Sequence, residues 1–245
     1  MEEAPAEKRL LLELFSGTGS IGKAFRAQGW DVVSLDSDPK AFEATIAKDI
    51  LEFEISELGG RIVDLVWASP PCCNYSNARR KTKGMEELES SDRLVERALS
   101  IAEGLKCPIF VENPWTGRLK TRQLLDHLHA HRVDYCTYGM PYRKRTAIWT
   151  DTCWKPTRPL CARDCASFVD GKHLARAQQG GPGPSFSQRQ LYVIPSALCE
   201  EIACWATPRK DERNPCSTCA GGIDSRPRDE RGRYRSEQML QETAQ

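Results

Sequence analysis

A short apolar run, Leu10-Leu11-Leu12-Glu13-Leu14-Phe15, stops at Ser16 and gives way to Gly17-Thr18-Gly19-Ser20-Ile21-Gly22. An apolar run bounded by glycine reads as a buried parallel strand. Ser20 to Gln28 then reads as a helix. The glycines fit a G-x-G-x-x-G turn, which brings backbone close to a ligand at a helix N-terminus. Asp36 lies nineteen residues after Gly17, at the end of the next apolar run, Asp31 to Asp36. A carboxylate there suits ribose hydroxyls, so the unit describes an adenosine-containing cofactor. NAD, FAD and S-adenosylmethionine all share that geometry.

The pattern continues as alternating strands and helices. A third strand is expected near Ala44 to Ile50, a fourth over Arg61 to Ala68 and a fifth over Pro108 to Val111. Val95, Ala98, Leu99, Ala102 and Leu105 repeat at helical spacing within a helix from Glu86 to Lys106. Leu124, Leu125 and Leu128 suggest another helix over Thr121 to His131, followed by strands over Val133 to Tyr138 and Thr146 to Thr150. This is the texture of a doubly wound α/β sheet. Residues 8–151 read as its core. Residues 152–190 are rich in Cys, Pro, Gly and Arg and read as a small irregular segment. Residues 191–207 return to the core, and the polar residues 208–245 read as a disordered tail.

Two loops fall where such a sheet places ligands, at the carboxyl ends of its strands. Ser69-Pro70-Pro71-Cys72-Cys73-Asn74-Tyr75-Ser76 follows the fourth strand. A cysteine held there by rigid prolines is placed to act as a nucleophile, provided that its thiolate is favoured. Glu112, ending the fifth strand, can hold and protonate a ring nitrogen.

With these residues in order, the sequence resembles the cytosine-5 DNA methyltransferases, most of all their compact phage and protist type. The similarity lies in Leu12-Glu13-Leu14-Phe15-Ser16-Gly17-Thr18-Gly19, in Pro71-Cys72-Cys73-Asn74-Tyr75-Ser76, in Val111-Glu112-Asn113-Pro114 and in Tyr138-Gly139-Met140-Pro141-Tyr142-Arg143-Lys144-Arg145. It covers residues 9–150 and, more weakly, 178–205. The resemblance implies a Rossmann-like class I S-adenosylmethionine-dependent methyltransferase fold. It also implies methylation of cytosine C5 in DNA, with S-adenosylmethionine as cofactor. Carried over by position, Cys72 attacks C6, Glu112 contacts N3 and the exocyclic amine, and Arg143 or Arg145 holds O2. Phe15, Gly17 and Gly19 line the cofactor, Asp36 binds ribose, Ser37 lies against adenine, Asp49 accepts from the adenine amine and Pro70 packs near the cofactor. The chain departs from the family in three ways. Cys73 stands where Gln is usual, Tyr142 replaces the Gln of the Arg-rich segment, and no large target-recognition domain follows.

Lys plus Arg number 35 against 34 Asp plus Glu, a net charge of +1, so any nucleic-acid surface must be local. Arg79, Arg80, Lys81 and Lys83, directly after the Pro-Pro-Cys loop, are the cluster suited to phosphates. The eleven cysteines are odd in number and lack a leader-like N-terminus beside them, which points to a reducing intracellular compartment, the nucleus in a eukaryote. No apolar stretch is long enough for a bilayer. Cys153, Cys161, Cys165 and His173 form a set able to hold zinc, with free thiols as the competing reading. Cys107, Cys136, Cys199 and Cys204 sit in apolar elements and read as core. The other functions open at this point are an RNA cytosine-5 methyltransferase, an inactive or partner-dependent DNA-binding relative, and an NAD-dependent oxidoreductase.

Overall fold

A computed structural model describes residues 8–76, 84–177, 184 and 186–207. Its strands are β1 (Leu10–Leu14), β2 (Asp31–Asp36), β3 (Ile46–Ala47), β4 (Leu65–Ala68), β5 (Ile109–Pro114), β6 (His129–Asp134), β7 (Arg145–Thr150), β8 (Phe168–Val169) and β9 (Lys172–His173). The helices are α1 (Ser20–Ala27), α2 (Met85–Leu105), α3 (Gln188–Tyr192) and α4 (Ser196–Ala206). Seven strands form one sheet in the order β3-β2-β1-β4-β5-β7-β6. The first five are mutually parallel, and β7 runs antiparallel to both β5 and β6. This is the Rossmann-like methyltransferase architecture expected from the sequence.

The order explains the composition of the strands. β1 and β4 lie in the middle of the sheet with helices over both faces, and every residue of each is buried. Strands buried on both sides read as continuous apolar runs rather than as alternation. β1 pairs with β2 on one side and β4 on the other, so the strand order reverses there. The crevice at that reversal, outside the carboxyl ends of the strands, is where such sheets bind ligands.

Three expectations are corrected. The segment proposed as a helix over Thr121 to His131 is a 3₁₀ turn, Leu119–Thr121, followed by turns and then β6. Gln123 takes a left-handed φ of 60°, which interrupts any helix. Leu125 and Leu128 are nonetheless buried, so their spacing reports core contact without helical geometry. The free edge of β7 is filled by six residues of β6, from His129↔Thr150 to Asp134↔Arg145. That pairing outweighs a local helical preference. The strand expected over Val133 to Tyr138 therefore ends at Asp134, and Tyr135–Tyr138 form a 3₁₀ turn closed by Gly139 at φ 92°. The third strand is only two residues long, because Asp49 accepts the Leu51 N–H at 2.9 Å and starts a 3₁₀ turn over Ile50–Glu52. Among the described residues, no helix is long and apolar enough to cross a membrane.

Candidate active site

The glycine loop is held by a carboxylate buried beneath it. Glu13 on β1 accepts the Gly22 N–H at 3.1 Å and the Ser34 hydroxyl at 3.0 Å. Burial pushes its carboxyl above the usual range, with these hydrogen bonds opposing the shift. A Cβ on Gly22 would lie 2.5 Å from the Glu13 Oε2, so only glycine lets α1 sit this close to the strand. Gly17 and Gly19 take φ of 48° and 63°, and Phe15 also has a positive φ, 57°. Gly19 is backed by Phe42, whose Cδ1 would lie 2.7 Å from an added Cβ. Gly17 instead faces open space: its nearest atom would be the Phe15 carbonyl oxygen at 3.8 Å.

Asp36, at the end of β2, reaches this loop. Its Oδ2 accepts the Gly17 N–H at 2.7 Å and its Oδ1 the Asp38 N–H at 2.8 Å. A carboxylate offers about four acceptor positions, so each oxygen keeps capacity for a hydroxyl. Ser37 and Asp49 are exposed at the same edge, and Asp49 commits one oxygen to its 3₁₀ turn. A cavity lined by Thr18, Lys23, Phe42, Ser187, Arg189, Gln190 and Val193 opens beside the loop.

The Pro-Pro-Cys loop leaves β4 and is tied down at several points. The Pro70 carbonyl accepts from Asn113 Nδ2 at 2.9 Å, which fastens this loop to the end of β5. Asn74 donates to the Glu87 carbonyl and Ser91 hydroxyl, both at 2.9 Å. The buried Tyr75 donates to Asp92 at 2.8 Å, and Asp92 is paired with Arg122. The two adjacent thiols then separate. Cys73 points to its neighbour Asn74 Oδ1, at 3.7 Å. Cys72 lies within electrostatic reach of Lys144 and Glu112. Burial pushes the Cys72 thiol up; the Lys144 cation pulls it back and the Glu112 carboxylate adds to the rise.

Glu112 is buried on β5. It accepts the Tyr135 hydroxyl at 3.1 Å, and its Oε1 lies 3.9 Å from Lys144 Nζ. The antiparallel β7 brings this about. Pro114 pairs with Thr146, so the residues just before β7 arrive at the carboxyl end of β5. Arg143 turns to the buried Asp134, donating to Oδ2 from Nε at 3.0 Å and from the guanidinium end at 2.7 Å. Arg145 is exposed. Lys144 faces the site and lies over the Tyr135 ring.

The structure thus places Phe15, Gly17 and Gly19 after β1, Asp36 at the end of β2, Pro70 and Cys72 after β4 and Glu112 on β5, all toward the carboxyl ends of parallel strands, with Ser37 just after β2 and Asp49 just after β3. It gives the inward cationic position to Lys144 rather than to Arg143 or Arg145. Lys144 and Tyr135 were missed by sequence reasoning. Nothing in the sequence separates Lys144 from its two arginine neighbours, because Arg143 and Lys144 precede β7 and their directions follow from the path of the chain into it. Arg79, Arg80, Lys81 and Lys83 lie outside the described residues. Elsewhere, Cys161, Cys165 and His173 do come together, but their fourth neighbour is Cys136 rather than Cys153. Cys107 and Cys199 are core as expected, whereas Cys204 is exposed on α4.

No protein-family model matches the chain. It is 35% identical over 215 residues to a probable DNA (cytosine-5)-methyltransferase of Frog virus 3 (isolate Goorha), covering 78% of this chain and 97% of that protein. Among solved structures it matches a prophage-encoded putative DNA modification methyltransferase (E. coli), at a TM-score of 0.45 and 17% identity. That match covers 58% of this chain and 46% of the other. It also matches a methyltransferase of Entamoeba histolytica, at a TM-score of 0.44 and 14% identity, covering 63% and 56%. The chain therefore spans about half the length of each of these solved chains.

Proposed function

Because the chain belongs to the DNA (cytosine-5)-methyltransferase family, we propose that it methylates C5 of cytosine in DNA, with S-adenosylmethionine as methyl donor and Cys72 as nucleophile. The observation that carries this reading is the meeting of Cys72, Glu112 and Lys144 at the carboxyl ends of β4, β5 and the start of β7, next to the glycine loop of β1.

The crevice fits the donor. Gly17 leaves room for a ligand at the loop, and Asp36 presents two oxygens with acceptor capacity to a ribose. When bound, S-adenosylmethionine supplies an electrophilic methyl group on sulfonium. The remaining steps belong to the chain and the base. A cytosine within a duplex must be flipped out of the stack to reach a half-buried thiol. Cys72 Sγ then bonds to C6, and the electron pair of the C5–C6 double bond moves into the ring toward N3 and O2. A proton shared between the Glu112 carboxyl and N3, together with the Lys144 cation beside it, stabilises that charge as it forms. C5 takes the methyl group as the sulfur–methyl bond breaks, leaving the neutral thioether S-adenosylhomocysteine. Loss of the C5 proton to solvent and departure of the Cys72 thiolate restore the aromatic ring. The Tyr135 hydroxyl holds the Glu112 carboxyl in place for this contact.

The test is methyl transfer from labelled S-adenosylmethionine to mixed-sequence DNA, with the product mapped by bisulfite conversion and RNA of equal sequence in a parallel arm. Label at cytosine C5 of DNA is expected from the parent chain and from Cys73→Ser, and none from Cys72→Ser. Transfer retained by Cys72→Ser overturns the nucleophile assignment. Transfer to RNA alone overturns the substrate.

A further inference from the structure

Beyond Trp154, which is buried against Phe110 and His131, the segment that follows β7 buries little apolar surface. Leu160, Val169 and Leu174 are all exposed, and the only regular structure among residues 155–175 is the two-residue hairpin β8–β9. A hairpin of that size is not stable alone. Yet the segment is pinned against the turn that leads into β7. Ser167 donates to the Met140 carbonyl at 2.8 Å, the Ala175 N–H donates to the Pro141 carbonyl at 2.9 Å, and the Cys161 N–H donates to Asp134 Oδ2 at 3.0 Å.

At the centre of this contact lie Cys136 Sγ, Cys161 Sγ, Cys165 Sγ and a ring nitrogen of His173, all within 4.8 Å of one another. Cys136 comes from the turn after β6, Cys161 and Cys165 from the irregular loop, and His173 from β9. Cys136 and Cys161 are buried, and the other two ligands are half-buried. Two of the ligand separations match those around a tetrahedral zinc ion. Zinc–sulfur bonds of about 2.3 Å and zinc–nitrogen bonds of about 2.05 Å place ligand atoms about 3.8 Å apart for two sulfurs and about 3.6 Å for sulfur and nitrogen. The observed separations are 3.7 Å for Cys161 Sγ to Cys165 Sγ and 3.5 Å for Cys161 Sγ to His173 Nε2.

The surroundings suit a metal-bound thiolate set. The Arg163 N–H points at Cys161 Sγ at 3.3 Å, the kind of outer contact that stabilises a metal-bound thiolate. Arg143, on Asp134, adds a positive charge beside Cys136, Cys161 and His173. Three soft sulfurs and one imidazole select zinc over hard cations, and four protein ligands leave no open position.

We propose that Cys136, Cys161, Cys165 and His173 form a structural zinc site that fastens the Cys-rich segment to the turn delivering Arg143 and Lys144. The site joins residues far apart in sequence, so it replaces the apolar burial that the segment lacks.

The experiment uses the full chain, purified without a metal-binding tag from zinc-supplemented cells, and measures metal by plasma mass spectrometry. About one zinc per chain is expected. Cys161→Ser and Cys165→Ser are expected to lose it. Cys153→Ser and Cys204→Ser are expected to keep it, as is the double variant Cys216→Ser/Cys219→Ser, which removes the Cys-x2-Cys pair of the sequence that lies outside the described residues. His173→Cys is expected to keep it through a fourth thiolate, so metal loss is read apart from misfolding. Cobalt exchanged into the parent chain is expected to show tetrahedral ligand-field bands with thiolate-to-cobalt charge transfer. Chelation is expected to lower the melting temperature, with recovery on adding zinc. Three results would overturn the proposal: a chain free of zinc as purified and unable to bind cobalt, metal lost from the Cys216/Cys219 variant but kept by Cys161→Ser, or a Cys161–Cys165 disulfide in the intact mass without reductant.

Discussion

Cys72 is half-buried, and that desolvation makes it a poor thiolate. Its thiol is pushed up by desolvation, and the nearby Lys144 cation opposes the shift. The thiolate is the attacking form, so reactivity at Cys72 rises with pH and reaches its plateau only under alkaline conditions. Lys144→Gln removes the opposing charge, so the pH profile of Cys72 alkylation by iodoacetamide is expected to move to higher pH. Glu112→Gln removes a charge that disfavours the thiolate, so the same profile is expected to move to lower pH. Both variants are expected to lose methyl transfer by about 10²-fold or more, the scale of a lost transition-state contact. A simple structural role for Lys144 would leave the alkylation profile where it is. These residues also show what was legible. Cys72 and Glu112 stand in contiguous motifs, and their places after β4 and on β5 were readable from those local patterns. Lys144 is flanked by two arginines of the same charge, and only the path of the chain into β7 decides which of the three faces the crevice. Cys136 was read as core because it is apolar in context, while its partners lie on segments that meet it only in three dimensions.

The junction of β1 and α1 carries two glycines with different duties, and they separate stability from binding. Gly22 is an element-packing residue. An added Cβ would meet Glu13 Oε2 at 2.5 Å and Val32 Cγ1 at 3.2 Å. Gly22→Ala must displace a buried carboxylate from its two hydrogen-bond donors, at a cost of about 1–3 kcal/mol. Thermal unfolding is expected to show this as a drop of about 2–4 °C for each kcal/mol. Gly17→Ala meets no obstruction but must hold φ 48°, which costs about 1–2 kcal/mol. Its added methyl group projects into the crevice. Loss of S-adenosylmethionine affinity in calorimetry should therefore exceed its loss of stability, and the reverse should hold for Gly22→Ala. Equal losses in the two variants would contradict this division. The same junction was readable from sequence, since an apolar run, a glycine turn and a helix are local features. β6 was not readable, because its reason for being a strand is the unpaired edge of β7.

At the scale of the whole molecule, α4 joins parts that the sheet alone leaves separate. Leu198, Cys199, Ile202 and Ala203 are fully buried, and the helix packs on α1. At its far end, Thr207 accepts from Trp30 Nε1 at 2.8 Å, and the Ala206 carbonyl accepts from Arg9 at 3.4 Å. Trp205 meets Phe110 of β5 edge-on, with ring centroids 5.7 Å apart. Glu201 accepts the Thr157 N–H at 3.1 Å and lies 3.4 Å from the Tyr138 hydroxyl, so the Cys-rich segment is also tied to this helix. Before α4 begins, the Ile194 N–H donates to Ser20 at 3.3 Å, which seats the stretch from Ser187 to Val193 against the glycine loop and its cavity. Ile202→Ala removes a buried side chain at the middle of this arrangement, at a cost of about 2–5 kcal/mol. One cooperative unfolding transition is expected, shifted down by about 2–4 °C per kcal/mol. S-adenosylmethionine is expected to raise the melting temperature of this variant less than that of the parent, because the wall at Ser187 to Val193 depends on the helix behind it. Two separate transitions would show instead that α4 melts independently of the sheet. An unchanged ligand-induced shift would show that the wall holds without it.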